Sequence, residues 1–378
     1  MAKVVKKFGG TSLKNEARIN LAAKEVVRSL EDGDEVIVVV SAMGSEGDPY
    51  ATNTLIELLE DVSPEIDSRK KDLMMSCGET ISASLFSHYL DSEGYTAIPM
   101  TGHKAGIFTN DNFGDADIID IDPVRINHHT SQGKPVVLAG FQGRTVKGEV
   151  TTLGRGGSDT TALAVGNRLD ADYVELFTDV PGVATADPGI IEGPEYFSSL
   201  TRNSLARLAE NGSEVVHPQA LEEARRSKIP VMVKCAWDEK NATLVGGKPA
   251  KETRPVGIAS KDSFTMFKGK SREVNRDSRL RRQARELVHL ERGNSLALVP
   301  REDESPSSNG YERREDVSLV TVVATGGVSP ADVRGRIIDS VGEGYVERNF
   351  TNYGLRFLVD EEEKGKLIRR VYGAFYRK

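Results

Sequence analysis

The sequence is short of cysteine and of long apolar runs, and each shortage excludes a class of protein. Cys77 and Cys235 are the only cysteines among 378 residues, so a disulfide scaffold is excluded and a reducing cytoplasm is expected. No group of His and Cys has the spacing of a zinc site, and no metal-binding residues are predicted. No apolar run reaches the roughly 18 residues of a membrane span. Met1–Val5 leads at once into a strand pattern, which predicts no signal peptide.

A net positive charge and the common nucleotide-binding motifs are also absent from the sequence. The net charge of -7 argues against nucleic acid as a partner. Gly269-Lys270-Ser271 has the end of a Walker A motif but lacks its first glycine, and no G-x-G-x-x-G or G-x-S-x-G is present. With 38% hydrophobic and 28% charged residues, the chain has the balance of a globular protein of two or three domains.

Short apolar runs alternate with helical patterns as far as about residue 235. This alternation predicts an α/β fold whose parallel-rich sheet is covered on both faces, with ligands at the carboxyl ends of its strands. The predicted strands are Val4–Val5, Glu35–Val40, Pro135–Ala139, Tyr173–Phe177 and Ile229–Val233, and the predicted helices are Ile19–Leu30 and Ile81–Leu90.

The composition changes near Gly246-Gly247-Lys248-Pro249, which predicts one domain over 1–245 and a smaller α+β region over 246–378. A basic run over 268–285 is interpreted as a solvated helix face, and the polar run over 302–310 as a loop. The remaining elements predicted are strands Val317–Ala324 and Leu355–Val359 and helices Ala331–Val341 and Lys364–Phe375.

The segment Thr151–Thr161 carries the strongest chemical signal. It combines glycines, Arg155 and Asp159 directly before a helical pattern. Glycines let the backbone approach an anion, a helix start offers free N–H groups, and arginine matches a carboxylate or phosphate. This segment therefore predicts an anion site, in which the acid orients a lysine or faces a metal.

Four other segments follow predicted strands or precede helices. Lys6–Ser12 has the glycine turn and hydroxyls of a phosphate nest, and Ser41–Gly44 leaves room for a ligand. Glu79 lies near a predicted helix start, where it serves either the helix dipole or a substrate ammonium group. Phe177–Pro188 offers two acids and two threonines, suited either to nucleotide and Mg²⁺ or to a pair of Asx turns.

Together these segments resemble the amino acid kinase superfamily, and within it the aspartate kinases. The matching motifs are Lys7-Phe-Gly-Gly-Thr-Ser12, Val38-Val-Val-Ser-Ala-Met-Gly44, Ser76-Cys-Gly-Glu-Thr-Ile-Ser82, Ala139-Gly-Phe-Gln-Gly143, Thr151-Thr-Leu-Gly-Arg-Gly-Gly-Ser-Asp-Thr-Thr161, Phe177-Thr-Asp-Val180 and Thr185-Ala-Asp-Pro188. The resemblance implies a three-layer αβα kinase domain, with ATP and Mg²⁺ as cofactors. It also implies phosphorylation of the β-carboxylate of L-aspartate on the way to lysine, threonine and methionine.

The resemblance also implies residue roles. Lys7 and Asp159 are the implied catalytic residues, Lys7 stabilising the phosphoryl group and Asp159 orienting Lys7. Glu79 and Arg155 are implied to hold the ammonium and carboxylate of aspartate. The other implied substrate contacts are Gly156, Gly157, Ser158, Thr52 and Ser41. The implied ATP contacts are Lys7, Phe8, Gly9, Gly10, Ser41, Thr178, Asp179 and Asp187.

The chain departs from the family at positions that bind ATP. The family commonly has an aromatic residue at Ala184, an arginine at Gly189 and a lysine at Glu214, while Asn53 replaces a frequent aspartate. Losing the arginine and the lysine removes two charge-assisted contacts, which is expected to weaken ATP binding by about 3 to 6 kcal/mol if nothing compensates. The C-terminal region resembles two ACT domains, the first of them degenerate, which implies a homodimer and a lysine or threonine effector.

Three functions remain open at this point. The first is an active aspartate kinase. The second is a divergent paralogue with lost or altered ATP use, either a regulatory subunit or a kinase for a related amino acid in a specialised pathway. The third is another acyl-phosphate-forming kinase, such as one for N-acetylglutamate, although the Arg155–Asp159 and Glu79 segments favour aspartate.

Overall fold

The chain folds into two compact units, as seen in a computed structural model. The residues that the structure describes are 1–213, 216, 218–226, 229–246, 255–290, 293–303, 310–325 and 329–376. The N-terminal unit comprises 1–183, 196–203 and the described part of 214–250, and the C-terminal unit comprises 184–195, 204–213 and the described part of 251–378.

The strands and helices follow one another closely along the described residues. The strands are β1 (Lys3–Phe8), β2 (Glu35–Val40), β3 (Ile98–Met100), β4 (Ile107–Thr109), β5 (Ile118–Ile121), β6 (Val136–Ala139), β7 (Gln142–Arg144), β8 (Val150–Thr152), β9 (Tyr173–Phe177), β10 (Ser199–Leu200), β11 (Val231–Cys235), β12 (Asp238–Val245), β13 (Val256–Lys270), β14 (Glu286–His289), β15 (Asn294–Pro300), β16 (Glu312–Ala324), β17 (Glu347–Phe350) and β18 (Gly354–Asp360). The α-helices are α1 (Glu16–Glu31), α2 (Thr52–Glu60), α3 (Ser68–Ser92), α4 (Val124–Thr130), α5 (Gly157–Arg168), α6 (Arg202–Glu210), α7 (Pro218–Arg226), α8 (Ser271–Arg276), α9 (Ser278–Gln283), α10 (Pro330–Val341) and α11 (Glu361–Tyr376).

The N-terminal unit is built on an eight-stranded sheet in the order β10-β12-β11-β9-β1-β2-β6-β3. Every neighbouring pair is parallel except β11 and β12. The central strands are almost wholly apolar because both of their faces are covered; in β2, all five residues after Glu35 are buried. This sheet confirms the predicted parallel-rich α/β fold.

The core of this unit is aromatic where the central strands end. Phe8 stacks on Phe177 with ring centroids 4.5 Å apart, and Phe86 of α3 packs beside Phe8 at 5.7 Å. All three side chains are fully buried. They hold the ends of β1 and β9 in place, and the loop that follows β1 lines the site described below.

The helix predicted over Ile81–Leu90 is much longer than the sequence suggested. Helix α3 begins at Ser68, and the side chain of Asp67 caps it by accepting from the N–H groups of Arg69 and Lys70. Gly78 lies inside the helix. A Cβ at Gly78 would lie 2.7 Å from the Cβ of Ala42, so the glycine allows α3 to approach the loop after β2.

A small four-stranded sheet in the order β5-β4-β7-β8 also belongs to the N-terminal unit and was not predicted. Its β7–β8 hairpin pairs Gln142 with Thr152 and delivers the chain to the Thr151–Thr161 segment. The hydroxyls of Thr109 and Thr151 share a buried hydrogen bond of 2.6 Å that ties β4 to β8.

The C-terminal unit contains a six-stranded antiparallel sheet in the order β14-β15-β13-β16-β18-β17. Helices α10 and α11 cover part of it with a shared apolar core. The predicted basic run forms the end of β13 and the short helices α8 and α9 rather than one helix face. The polar run over 302–310 lies largely outside the described residues.

The division of the chain differs from the single predicted boundary at 246. The segments 184–195 and 204–213 precede that boundary but pack within the C-terminal unit. Ile258 donates its N–H to the carbonyl of Thr185, and Thr321 donates its hydroxyl to the side chain of Asn211. No helix in the described ranges has both the length and the apolar character needed to cross a bilayer.

Candidate active site

A cavity of about 910 Å³ opens in the N-terminal unit, among loops that follow β1, β2, β6 and β8. Its position agrees with the rule that ligands bind at the carboxyl ends of parallel strands. Eleven of the residues predicted from the sequence line it: Lys7, Gly9, Gly10, Ser41, Thr52, Glu79, Arg155, Gly156, Gly157, Ser158 and Asp159.

Lys7 and Asp159 form an ion pair in this cavity. The Nζ of Lys7 lies 2.6 Å from Oδ1 of Asp159, and the side chains retain 12% and 16% of their exposure. Lys7 stands at the end of β1, and Asp159 lies in the first turn of α5, where a carboxylate also suits the helix dipole. The pair presents a held ammonium group to the cavity.

The two glycines after β1 bring a second loop close to Lys7. Gly44 donates its N–H to the carbonyl of Gly10 at 3.1 Å, which joins the loop after β2 to the loop after β1. A Cβ at Gly10 would lie 2.6 Å from the carbonyl oxygens of Ala42 and Gly44, so only glycine fits there. Gly9 has more room, and its nearest neighbour would be the Nζ of Lys7 at 3.5 Å.

The loop between β8 and α5, residues 153–156, is called the arginine loop and is shaped by glycines with positive φ. Gly154 has φ +71° and Gly156 has φ +74°, a left-handed conformation that side chains disfavour. Between them, Arg155 extends into solvent at the cavity and forms no ion pair with any residue that the structure describes. Its guanidinium is therefore available to an anionic ligand.

Phe141 supports this loop from the end of β6. It is one of few non-glycine residues with positive φ, at +66°, and it also lines the cavity. Its N–H donates to the hydroxyl of Thr161 and its carbonyl accepts from the N–H of Leu153. Gly157 packs against the ring, since a Cβ there would lie 2.8 Å from it. Strain of this kind is often kept at binding sites.

Glu79 lies in the middle of α3 and not at a helix start, so the helix-dipole interpretation is wrong. Its side chain is 3% exposed, and the N–H of Ala42 donates to Oε1 at 3.0 Å. The other oxygen, Oε2, is buried and accepts no hydrogen bond from any described residue. Burial raises the pKa of Glu79 to about 7, against the opposing hydrogen bond from Ala42. A cationic group of a ligand would satisfy this carboxylate.

Sequence reasoning missed several polar groups of the cavity. Asp72 and Lys71 of α3 line it beside Asn53 and Ser68. Asp72 is fully buried, and burial raises its pKa despite hydrogen bonds from Gly114 and Thr152 that lower it. The signal that could have found Asp72 is its i, i+7 spacing to Glu79, which places both on one face of a helix.

The residues predicted for ATP do not all lie at the cavity. Phe8 is buried in the aromatic core and does not line it, so its ring contacts no ligand there. Thr178 and Asp179 follow β9, and their side chains share a hydrogen bond of 3.1 Å. Gly9 donates its N–H to the carbonyl of Phe177, so this turn begins at the same sheet edge as the glycines after β1.

Asp187 belongs to the C-terminal unit together with Ala184 and Gly189. Its carboxylate accepts from the N–H of Gly189 at 2.8 Å, which forms the Asx turn that the sequence left open. The third altered position, Glu214, lies outside the described residues.

Comparisons with known proteins agree with this geometry. Residues 2–235 match the amino acid kinase family. Aspartokinase 1 of Bacillus subtilis is 42% identical over 272 residues, which cover 70% of this chain and 67% of that protein. The aspartokinase of Geobacillus stearothermophilus is 38% identical over 70% of this chain and 64% of its own length. The matched stretch thus spans about two thirds of these curated relatives.

A solved structure extends the similarity of fold to nearly the whole chain. Aspartokinase III of E. coli, in complex with aspartate and ADP, superposes with a TM-score of 0.75 over 99% of this chain and 100% of that chain, at 22% identity. At this identity the match concerns the fold alone. With the sequence matches above, it identifies the chain as a member of the amino acid kinase family and, within that family, of the aspartokinases.

Proposed function

We propose that this chain transfers the γ-phosphoryl group of ATP to the β-carboxylate of L-aspartate, forming 4-phospho-L-aspartate and ADP. One observation carries the proposal: Glu79 and Arg155, whose charges find no ion-pair partner in the described part of the chain, line the same cavity as the Lys7–Asp159 ion pair. An α-amino acid supplies the ammonium and carboxylate groups that these side chains lack. The aspartokinase relatives support the choice of aspartate.

The amino-acid end of the substrate is held by opposite charges. Oε2 of Glu79 accepts from the substrate ammonium, which restores the hydrogen bond missing from this buried oxygen. Arg155 binds the α-carboxylate, for which its planar fork of donors is suited. Ser41, Thr52, Gly156, Gly157 and Ser158 surround the rest of the substrate.

The phosphoryl end depends on positioning and on neutralised charge. An oxygen of the β-carboxylate attacks the γ-phosphorus while the bond to the bridging oxygen of ADP breaks. The carboxylate is already ionised at neutral pH, so the reaction requires no general base. Lys7 neutralises the charge on the transferred group, Asp159 holds Lys7 in place, and the glycine turn at Gly9 and Gly10 lets the phosphate oxygens approach the backbone.

The nucleotide and its metal are assigned to the same sheet edge. Thr178 and Asp179 are proposed to contact the nucleotide because their turn starts beside Gly9. Asp187 is kept as a nucleotide contact by resemblance only. No group of three or more His, Cys, Asp or Glu converges among the described residues. Mg²⁺ usually binds through substrate phosphates and one or two carboxylates, so we propose that it enters with ATP.

Regulation, assembly and location are proposals by resemblance. The antiparallel sheet and two covering helices of the C-terminal unit are compatible with ACT-like regulation by lysine or threonine. A homodimer and a cytoplasmic location accompany this proposal. Gel filtration with multi-angle scattering, with and without lysine or threonine, tests the dimer and its effector together.

One assay separates the proposed function from its alternatives. Purified protein is incubated with Mg-ATP, L-aspartate and hydroxylamine, which traps the acyl phosphate as aspartyl hydroxamate. Hydroxamate that depends on both substrates is the expected result. Calorimetric binding of aspartate without binding of ATP would instead support the divergent paralogue, and turnover with N-acetylglutamate but not aspartate would support the third function.

A further inference from the structure

Asp72 is the buried carboxyl group of the cavity to which no role has yet been assigned. It lies on α3 seven residues before Glu79, about two helical turns or roughly 10 Å along the axis. Both side chains line the cavity, and both are buried. One rigid helix thus carries the carboxylate proposed for the substrate ammonium and a second carboxylate at a set distance from it.

Asp72 is joined by hydrogen bonds to two other segments. The N–H of Thr152 donates to Oδ2 at 2.8 Å, and the hydroxyl of Thr152 donates to Oδ1 at 2.9 Å. The N–H of Gly114 also donates to Oδ2, at 3.0 Å. Both oxygens of Asp72 therefore accept hydrogen bonds, as the oxygens of an ionised carboxylate do. The neutral amide of asparagine has only one acceptor oxygen, so it could not accept all three bonds in the same way.

Thr152 is the root of the arginine loop. It is the last residue of β8, three positions before Arg155. The intervening chain contains Gly154 with positive φ, and Gly156 follows, so the loop itself has little intrinsic stiffness. The carbonyl of Thr152 accepts from the N–H of Ala116, so this residue is held on both sides. The position of Arg155 therefore depends on how Thr152 is anchored, together with the hydrogen bond from Leu153 to Phe141.

We propose that Asp72 is a positioning residue that anchors the arginine loop to α3 and thereby sets the span between Arg155 and Glu79. The distance between Arg155 and Glu79 determines which amino acids can bind to both side chains at once. It thus contributes to the selection of aspartate over a longer acid. This inference rests on the proposed function, in which Arg155 and Glu79 bind the substrate.

The test compares Asp72→Asn with Asp91→Asn. Asp91 is an exposed carboxylate on the same helix that accepts a backbone hydrogen bond from Ala97, and it does not line the cavity. Asp72→Asn is expected to raise the KM and calorimetric Kd for L-aspartate about tenfold and to change the KM for ATP less than twofold. The Kd for L-glutamate changes less, so the preference for aspartate falls. Asp91→Asn leaves all four constants near the wild-type values.

Thr152→Val provides a second, milder variant that removes only the hydroxyl contact. We expect about a threefold rise in the Kd for aspartate, and no further loss when it is combined with Asp72→Asn beyond that of Asp72→Asn alone. The inference is overturned if Asp72→Asn and Thr152→Val affect ATP and aspartate equally, or leave the aspartate-to-glutamate ratio unchanged. If wild type binds no aspartate, the proposed function fails, and the inference falls with it; if wild type binds aspartate and the variants match it, only the inference fails.

Discussion

The Nζ of Lys7 lies 2.6 Å from Oδ1 of Asp159, joining the end of the central strand β1 to the first turn of α5. Lys6, the preceding residue, points to the opposite face of the sheet and pairs with Glu175 instead. Successive residues of a strand face opposite sides, so two adjacent lysines have entirely different surroundings. Of these two lysines, only Lys7 lines the cavity and is in a position to act on a ligand there.

Lys7→Ala and Asp159→Ala are each expected to abolish hydroxamate formation, with kcat lowered by about 10³-fold. In Lys7→Ala the charge on the transferred group is no longer neutralised, and in Asp159→Ala the lysine is no longer held in place. Thermal unfolding should change little, since both side chains are partly exposed. Lys14→Ala is the matched control: Lys14 pairs with Asp48 at 3.0 Å on the surface, and its loss should leave kcat near the wild-type value. Normal turnover in either active-site variant would remove the roles assigned to the pair.

Aspartate affinity should depend on pH through Glu79. Its pKa in the free protein is about 7, so below that pH an increasing fraction of the carboxyl group is protonated and cannot accept from an ammonium group. We expect the calorimetric Kd for aspartate to rise towards tenfold per pH unit between pH 7 and pH 5.5. Glu79→Gln should bind aspartate weakly at every pH and show a flat profile. A wild-type profile that is equally flat would contradict this account.

The same pKa has a consequence for folding stability. The folded state keeps the proton of Glu79 up to about pH 7, whereas the unfolded chain releases it near 4.5. The folded state therefore binds more protons in this window, and the contribution of Glu79 to stability falls as pH rises through it. Glu79→Gln removes this dependence, so its urea midpoint should gain relative to wild type as pH increases from 5 to 7.

Gly10→Ala should destabilise the fold more than Gly9→Ala. A Cβ at Gly10 would lie 2.6 Å from two carbonyl oxygens, and these belong to backbone that cannot rotate away. Overpacking of this kind costs about 1–3 kcal/mol. The nearest atoms at Gly9 would be 3.5 and 3.7 Å away, which is ordinary contact. Urea unfolding of both variants measures the difference, and equal midpoints would show that the loops after β1 and β2 separate easily.

Glu175 is expected to be important for stability rather than for chemistry. It pairs with Lys6 at 2.6 Å and with Lys234 at 3.1 Å, and Lys234 also pairs with Glu25. Glu175→Gln leaves a buried lysine charge poorly compensated and should cost about 3–5 kcal/mol in unfolding free energy. Glu25→Gln is the control, because Lys234 then keeps Glu175 as a partner and the loss should be smaller.

The pH dependence of this cluster has the opposite sign to that of Glu79. Burial alone would raise the pKa of Glu175, but Lys6 and Lys234 together lower it below its usual value. The stability that it contributes is present above the unfolded pKa near 4.5 and is lost as pH falls through the lower folded pKa. Glu175→Gln should therefore be less sensitive to acid than wild type in that range.

Much of the N-terminal unit could be predicted because its strands are continuous apolar runs. The bounds predicted for β2 and β9 agree with the structure residue for residue. Helix α3 was predicted too short because its first turns are mostly polar and Gly78 is a poor helix former. In the folded protein this glycine serves the close approach of α3 to Ala42, a contact that no local pattern contains.

The C-terminal boundary shows a similar limit. The composition changes near residue 246, but segment 184–195 packs in the C-terminal unit, where Ile258 donates a hydrogen bond to Thr185, a residue distant in the chain. Such pairing depends on which segments become neighbours in the folded protein, and the sequence does not show that order. The predicted ACT-like character and homodimer therefore stay predictions.

The sequence by itself determined which chemical groups are available: a lysine and glycines after the first strand, a glycine-framed arginine, an acid at a helix start and a glutamate among small residues. Local patterns specify these because strand ends, turns and helix starts depend on neighbouring residues. Only the tertiary structure decided that Oε2 of Glu79 has no hydrogen-bond partner among the described residues and that Asp72 anchors Thr152. Burial and hydrogen-bond satisfaction arise from contacts between distant segments, so they exist only once the chain has folded.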